Sequence, residues 1–309
     1  MSNILITGAN GYIGTMLVNE LSSNKKNNIY LFKKSKEKNK KINYLNQKKK
    51  YQRLVLNKIF LLGFNNDLIE HEKKNTKTIK NNYNYFINIF NFIKNHTSKN
   101  SMVIFTSSAS LLGDKKNYKN TDIKTNFNSF YDLNKIFIED LLRYYAGISP
   151  FKFCVLRLTN VYGLSSSNNK QKNRGFLNKA INEMLNKKTI YIFGSGNYFR
   201  NYIHISDVVN ALILCIQNNK INNKNFILCS HENYKLIDVI NKIKHNIEFY
   251  TSFKINIKFK KISKYMNITD FRNFTSYDTT FSNLTGWKCK KNIDNILKNI
   301  VKNRVNEAS

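Results

Sequence analysis

Three glycines at three-residue spacing, Gly8, Gly11 and Gly14, stand between a short apolar run and an amphipathic one. This junction restricts the fold more than any other feature of the chain. Asn3-Ile4-Leu5-Ile6-Thr7 reads as a short buried strand, and Thr15 to Leu21 carries apolar residues at helical spacing. Strand, glycine turn and helix in immediate succession is the context a dinucleotide fingerprint requires. Glycines permit the tight turn and a close backbone approach, and the helix N-terminus turns free N–H groups and a positive dipole end toward a pyrophosphate. Cofactor contacts are expected from Gly8, Asn10, Gly11, Tyr12, Ile13 and Gly14. The spacing is G-x-x-G-x-x-G, not the commoner G-x-G-x-x-G, so an ordinary βα turn is the competing reading. The second strand is read at Ile29-Tyr30-Leu31-Phe32. An acidic residue at its end would bind the adenosine ribose. Lys33-Lys34 stand there, which leaves two readings: a 2′-phosphate site with Lys33 as ligand, hence NADP, or a solvated basic loop in a lysine-rich chain.

Tyr131 and Lys135 lie four residues apart, a spacing that puts two side chains on one helix face. A tyrosine acting as a base near pH 7 needs its pKa lowered by roughly 3 units, about 4 kcal/mol. A nearby ammonium could supply part of that. Taken alone, such a pair is common in so lysine-rich a chain. Upstream, Ser101 to Ser110 reads as a buried strand ending in hydroxyls. Ligands of open α/β sheets bind beyond the carboxyl ends of the strands, so Ser108 is placed to meet a substrate oxygen. A run of capping and turn hydroxyls is the alternative.

In these segments the chain resembles the NAD-dependent epimerase/dehydratase family, the extended short-chain dehydrogenase/reductases that act on nucleotide sugars. Four further segments carry the resemblance. Asn82-Tyr83-Asn84-Tyr85-Phe86-Ile87-Asn88 is similar to the family's N-V-x-G-T-x-N helix. Arg157-Leu158-Thr159-Asn160-Val161-Tyr162-Gly163 matches its R-x-x-N-V-Y-G strand end. Phe193 to Gly196 with Arg200 to Asp207 resembles G-x-G-x-x-x-R-D-[FY]-I-H-V-x-D, and Leu284 to Lys288 resembles L-G-W-x-P. The resemblance implies that Tyr131 transfers the proton, that Lys135 binds the nicotinamide ribose and lowers the Tyr131 pKa, and that Ser108 is the catalytic hydroxyl. It implies Asn82 beside the cofactor, and Asn160 and Arg200 against the sugar nucleotide, with Arg200 on the diphosphate, which a guanidinium fork suits. His204 is expected to be structural, since the five histidines show no metal spacing; no metal is expected.

The chain also departs from the family pattern. Ser110-Leu111-Leu112-Gly113 replaces x-V-Y-G, Leu62-Gly63-Phe64 replaces L-A-A, and Asn201 stands for the usual Asp. Leu164 takes the place of a proline, and Asn46 that of an adenine-contacting Asp. The family's 4,6-dehydratases carry Asp-Glu directly after the catalytic hydroxyl, whereas here Ala109-Ser110 follow, so no acid or base for dehydration is supplied. The resemblance therefore implies a nucleotide-sugar 4-epimerase that passes hydride to and from bound NAD. An NADPH-dependent 4-keto-sugar reductase, which Lys33-Lys34 would suit, is the runner-up. A non-catalytic RNA-binding relative is the reading from another class, which an intact Ser108, Tyr131 and Lys135 argue against.

The fold expected is α/β. A doubly wound parallel Rossmann sheet is read over about residues 1–163, rejoined by about 190–229, and residues 164–309 are read as mainly a smaller C-terminal substrate-binding domain. Residues 165–174 read as a polar substrate-side loop, residues 175–186 as a helix and residues 208–216 as a buried helix. The formal charge of +32 raises the question of nucleic acid. The lysines are spread along the chain, beside equally abundant Asn and Ile and only one proline, which fits an AT-rich coding sequence better than a binding surface. A nucleotide-diphosphate sugar is the expected partner, and a homodimer is expected from relatives that pair through the helices of Asn82 and Tyr131. No charged n-region precedes a long apolar stretch and no apolar window reaches membrane length, so neither a signal peptide nor a transmembrane helix is expected. Cys154, Cys215 and Cys229 lie in apolar runs and read as buried thiols, which with the rest points to the cytoplasm.

Overall fold

The computed structural model describes residues 2–32, 42–46, 51–65, 68–118, 129–164, 175–262 and 271–307. Seven strands form one parallel sheet: β1 (Ser2–Thr7), β2 (Asn27–Phe32), β3 (Ile42–Leu45), β4 (Lys58–Leu61), β5 (Met102–Ser108), β7 (Lys152–Leu158) and β11 (Lys224–Leu228). Their order is β11-β7-β5-β4-β1-β2-β3. The chain winds outward from β1 through β2 and β3, then returns to lay β4, β5, β7 and β11 on the other side. The strand order therefore reverses between β1 and β4, which opens a crevice at their carboxyl ends.

The winding follows from side-chain alternation. On β1, Ile4 and Ile6 enter one core with Met102, Ile104, Cys154 and Leu156, while Leu5 enters the other with Ile59, Val103, Phe105 and Val155. A strand buried on both faces needs apolar residues throughout, hence the near-continuous runs in the sequence. The first face is covered by α1 (Tyr12–Ser23) and α6 (Ile205–Leu214), through Leu17, Leu21, Val208 and Leu212. The second is covered by α3 (Asn75–Lys94), which follows the short α2 (Leu68–Lys73), and by α4 (Phe130–Gly147), through Phe86, Ile89, Ile138 and Leu142.

A third core forms around α5 (Phe176–Lys187), α7 (Leu236–Tyr250) and α9 (Ile293–Asn306), whose helical-period apolar residues Ile181, Met184, Ile240, Ile243, Leu297 and Val301 meet. Three small sheets accompany it: β8 (Asn160–Tyr162), β10 (Phe199–His204) and β12 (Asn233–Lys235); β9 (Thr189–Phe193) with β13 (Asn256–Lys260); and β6 (Lys115–Tyr118) with β14 (Phe274–Ser276). Two of the motif segments hold each other. Asp207 of α6 accepts from the Lys291 amide at 3.0 Å, and its carbonyl accepts from the indole of Trp287 at 2.9 Å, just beyond α8 (Thr280–Thr285). Cys154, Cys215 and Cys229 are buried free thiols. Among the described residues no helix is long and apolar enough to cross a membrane.

One ion pair bolts α4 to the sheet. Arg157 of β7 donates from Nε and Nη2 to both carboxylate oxygens of Glu139, at 3.0 and 2.6 Å, with the two residues 2% and 1% exposed. Removing one partner would strand the other charge in a dry environment. Glu139→Ala is therefore expected to lower stability by about 3–5 kcal/mol, read as the shift of a urea denaturation curve. A loss below about 1 kcal/mol would mean the guanidinium finds water or another carboxylate.

Candidate active site

The glycine loop sits at the carboxyl end of β1, against the turn after β4. Gly8 has φ +67°, and a Cβ there would collide with the backbone of Gly63. A Cβ at Gly14 would run into the carbonyl of Gly8. Thr7 Oγ1 accepts from the amides of Leu62 and Gly63 at 3.2 and 3.1 Å and so joins the two strand ends. A Cβ at residue 63 would meet the Tyr85 hydroxyl, which accounts for glycine where the family has alanine.

At the start of α1, Gly11 is the N-cap in extended backbone, with no side-chain cap and no acidic residue in the first turn. An uncapped N-terminus beside close-packed glycines is a cradle for an anionic pyrophosphate, so this end of the site fits a dinucleotide. Asn10 is exposed at the rim, Ile13 is half-buried and Gly14 is buried in the first turn. Tyr12 reaches across instead: its hydroxyl donates to the carbonyl of Gly163 at 2.6 Å and so ties the loop to the end of β8.

Ser108, Tyr131 and Lys135 come together at the end of β5. The sheet places Ser108 on the last residue of the strand, and Ser129 caps α4 by accepting from the Asp132 amide at 3.1 Å, which sets Tyr131 in its first turn. The Tyr131 hydroxyl faces the Ser108 side chain. Lys135, one turn on and 3% exposed, donates from Nζ to the carbonyl of Thr106 at 3.0 Å and lies 5.8 Å from the centre of the Tyr131 ring.

The electrostatics differ from the expectation that Lys135 lowers the Tyr131 pKa. Burial pushes the Tyr131 phenol well above its usual value, and the neighbouring Asp132 carboxylate adds to the rise. Burial also brings the Lys135 ammonium down to about 7. Two desolvated groups each favour their neutral form, which weakens the lysine as a means of acidifying the tyrosine in the protein alone.

Phe64 and His71 complete this cluster, and the sequence reading assigned neither of them a role in it. The Lys135 ammonium lies 3.9 Å from the centre of the Phe64 ring, and Phe64 stacks on His71 at 5.5 Å with both rings edge-on to Tyr131. The His71 Nε2–H donates to the carbonyl of Asn65 at 2.7 Å, leaving Nδ1 to accept from Asn134 at 3.5 Å. The L-A-A departure was the visible sign. Phenylalanine fills, beside the lysine, a volume that alanine would leave open.

The remaining predicted residues spread around this centre. Asn160 donates to the carbonyl of Asn201 at 3.0 Å, and the Arg200 guanidinium lies 5.1 Å over the Tyr198 ring on β10. Asn82 is buried in the seam between α3 and α4, donating to Asn134 at 3.3 Å. Lys33 and residues 165–174 lie outside the described residues. His204 caps α6: Nδ1 accepts from the Ser206 amide at 3.2 Å, and burial lowers its pKa to about 4, which keeps that nitrogen free to accept.

Asn201 explains its departure from Asp. Its Oδ1 accepts from Thr159 and from the Ser230 amide, while Nδ2 faces the Ser230 carbonyl at 3.0 Å and Asn233 Oδ1 at 3.0 Å. Only an amide can donate on that side; a carboxylate would be repelled.

Comparisons with known proteins bear on the family and the fold. The model of the NAD dependent epimerase/dehydratase family matches residues 4–229. The chain is 28% identical over 116 residues to a Methanocaldococcus jannaschii protein provisionally assigned as a UDP-glucose 4-epimerase. That stretch is 37% of each chain, so it spans little more than a third of that relative. It is 28% identical over 233 residues to the ADP-L-glycero-D-manno-heptose-6-epimerase of Brachyspira hyodysenteriae, covering 67% of this chain and 70% of that one. In fold it resembles the UDP-glucose 4-epimerase of Thermotoga maritima solved with UDP-glucose, with a TM-score of 0.81, 21% identity, and 99% of this chain and 100% of that chain covered.

Proposed function

The chain belongs to the NAD dependent epimerase/dehydratase family, whose members are NAD-dependent enzymes, and from that premise we propose that its reaction is the 4-epimerisation of a nucleotide-diphosphate sugar. The observation that carries the proposal is the gathering of Ser108, Tyr131 and Lys135 beside the glycine loop, with Ala109 and Ser110 following Ser108. No carboxylate stands in the two positions after the hydroxyl. The Asp132 carboxylate, which approaches Ser110, is fully buried and held by Arg272 at 2.6 Å, so it is not free to act as the acid of a dehydration.

When bound, NAD would supply a hydride acceptor for the sugar carbon and the hydride for its return. Tyr131 takes the proton of the sugar 4-hydroxyl at Oη and gives it back to the same oxygen after the 4-keto sugar has turned over. Ser108, beside Tyr131, holds that oxygen in line. Lys135 steadies the ribose end of the site from its place between the Thr106 carbonyl and the Phe64 ring. Because burial holds Tyr131 as a phenol in the free protein, its work as a base waits on positive charge brought into the site. Asn160 and Arg200, from adjacent strands β8 and β10, form the diphosphate side of the pocket, and the many surface lysines attract such an anion.

The test is to heat-denature the purified protein, identify the released nucleotide by mass spectrometry, and incubate the native protein with UDP-glucose. Retained NAD and appearance of the 4-epimer are expected, because a cofactor regenerated within each cycle has no need to leave. NADP(H), or a site that binds NADPH only when it is added, would replace the epimerase by a one-directional 4-keto-sugar reductase.

A further inference from the structure

The Ser108 hydroxyl is wired to a buried charge. Ser110, two residues on in the short 3-10 turn Ala109–Leu112, has its Oγ 2.7 Å from Ser108 Oγ and 2.5 Å from Asp132 Oδ1. Asp132 follows Tyr131 on α4 and is fully buried. Its other oxygen accepts from Arg272 Nη2 at 2.6 Å, and Arg272 Nη1 donates to the carbonyl of Ser110. Arg272 is 5% exposed and arrives just before β14, 140 residues after its partner in sequence. Each carboxylate oxygen is thus engaged.

The proton directions follow from the donor and acceptor inventory. A carboxylate only accepts, so the Ser110 hydroxyl donates to Asp132. A hydroxyl has one proton, so in the contact between the serines Ser110 accepts and Ser108 donates. Ser108 Oγ is left with lone pairs: one receives the Ser110 amide at 3.2 Å, and the other is open toward the Tyr131 hydroxyl beside it.

We infer that Asp132, clamped by Arg272, is a positioning residue that acts through Ser110 to fix Ser108 as a hydrogen-bond acceptor at the reacting centre. The inference rests on the reading of Ser108 and Tyr131 as the catalytic pair. It has two consequences. An oxygen arriving at Ser108 is met by a lone pair, which suits the hydroxyl form of a sugar and not its keto form. And a Tyr131 phenolate finds no donor in Ser108, so the phenol is preserved until the site is filled. Nothing in the local sequence announces this, because the clamp depends on a residue from the far end of the chain.

Among the described residues, the titratable groups facing Tyr131 are Asp132 and Lys135 on its own helix and His71 on α2. The experiment follows Tyr131 by carbon-13 NMR of ring-labelled tyrosine in the cofactor-free protein, the signal being the one lost in Tyr131→Phe. Ser110→Ala cuts the wire and leaves Asp132 on Arg272. The Ser108 proton is then free to turn to the phenolate, and Tyr131 is expected to titrate lower than in the wild type by about one pH unit or more. Ser110→Thr keeps the hydroxyl and is expected to hold the wild-type position. Should Ser110→Ala not fold, Ser110→Cys, nearly isosteric and a weak hydrogen-bonding group, takes its place.

With UDP-glucose, Ser110→Ala is expected to lower kcat about tenfold with KM nearly unchanged, and Ser110→Thr to restore it. An unmoved Tyr131 signal in Ser110→Ala, or a threonine that behaves like alanine, would overturn the inference. Lack of turnover in the wild type as well would sink the epimerase and leave the NMR result to judge the clamp.

Discussion

A Tyr131→Phe protein is expected to fold, to bind NAD and UDP-glucose as the wild type does, and to lose roughly 10²–10⁴-fold in kcat, the range set by removal of a positioned acid–base group. The hydroxyl is the only atom lost. The ring keeps its edge contacts with Phe64 at 5.6 Å and with His71 at 5.5 Å, so packing survives. The interaction of that hydroxyl with Ser108 disappears, worth about 1 kcal/mol of stability at most. Initial rates together with calorimetric titration of both ligands separate the outcomes. Retained turnover would remove Tyr131 from the chemistry. Lost turnover together with lost binding would make it a packing residue. If the chain served only as an RNA-binding relative, the substitution would change neither RNA affinity nor cellular function.

Lys135→Met is expected to do two opposite things: abolish turnover and stabilise the fold near neutral pH. Lys135 is almost completely buried, and its pKa of about 7 stands against 10.5 in the unfolded chain. Between those values the unfolded chain binds a proton that the folded chain declines. Stability therefore rises with pH from about 7 to 10.5, and the penalty is complete below 7. Methionine fills the same volume without a charge to desolvate. A gain on the order of 3 kcal/mol at pH 7 is expected once the lost Thr106 bond and the ring contacts are set against it. Above pH 10.5, where neither state of the wild type binds the proton, the gain should vanish. Melting curves of both proteins from pH 6 to 11 check the sign. A Lys135→Met protein less stable than the wild type at pH 7 would mean that the ammonium is paid for by contacts stronger than those described.

Part of this was legible from local pattern. The strand, glycine turn and helix at the N-terminus form as read, because backbone freedom at the glycines and apolar period on either side are local properties. The helix read over residues 175–186 appears as α5, since apolar period sets which face it can bury. The Tyr131–Lys135 spacing gave the right helix face, but it said nothing of what lies over that face. Phe64, His71 and Arg272 reach the site from 60 to 140 residues away, and in a chain with 51 lysines and arginines no single basic residue stands out by spacing. Asn201 looked like a departure from a motif. It became intelligible only when its amide was seen among carbonyls supplied by three other segments.

The sequence by itself therefore determined the winding of the sheet, the glycine cradle and the identity of the three central side chains, all of which depend on backbone freedom, apolar period and order along the chain. Tertiary structure decided how those side chains behave. A pKa reflects how much water is removed from around a group, and the direction of a hydroxyl proton is set by whichever acceptor lies at its far end. Both are properties of the space around a residue. Here that space is built by β4, α2 and the segment before β14, which meet α4 only when the chain has folded.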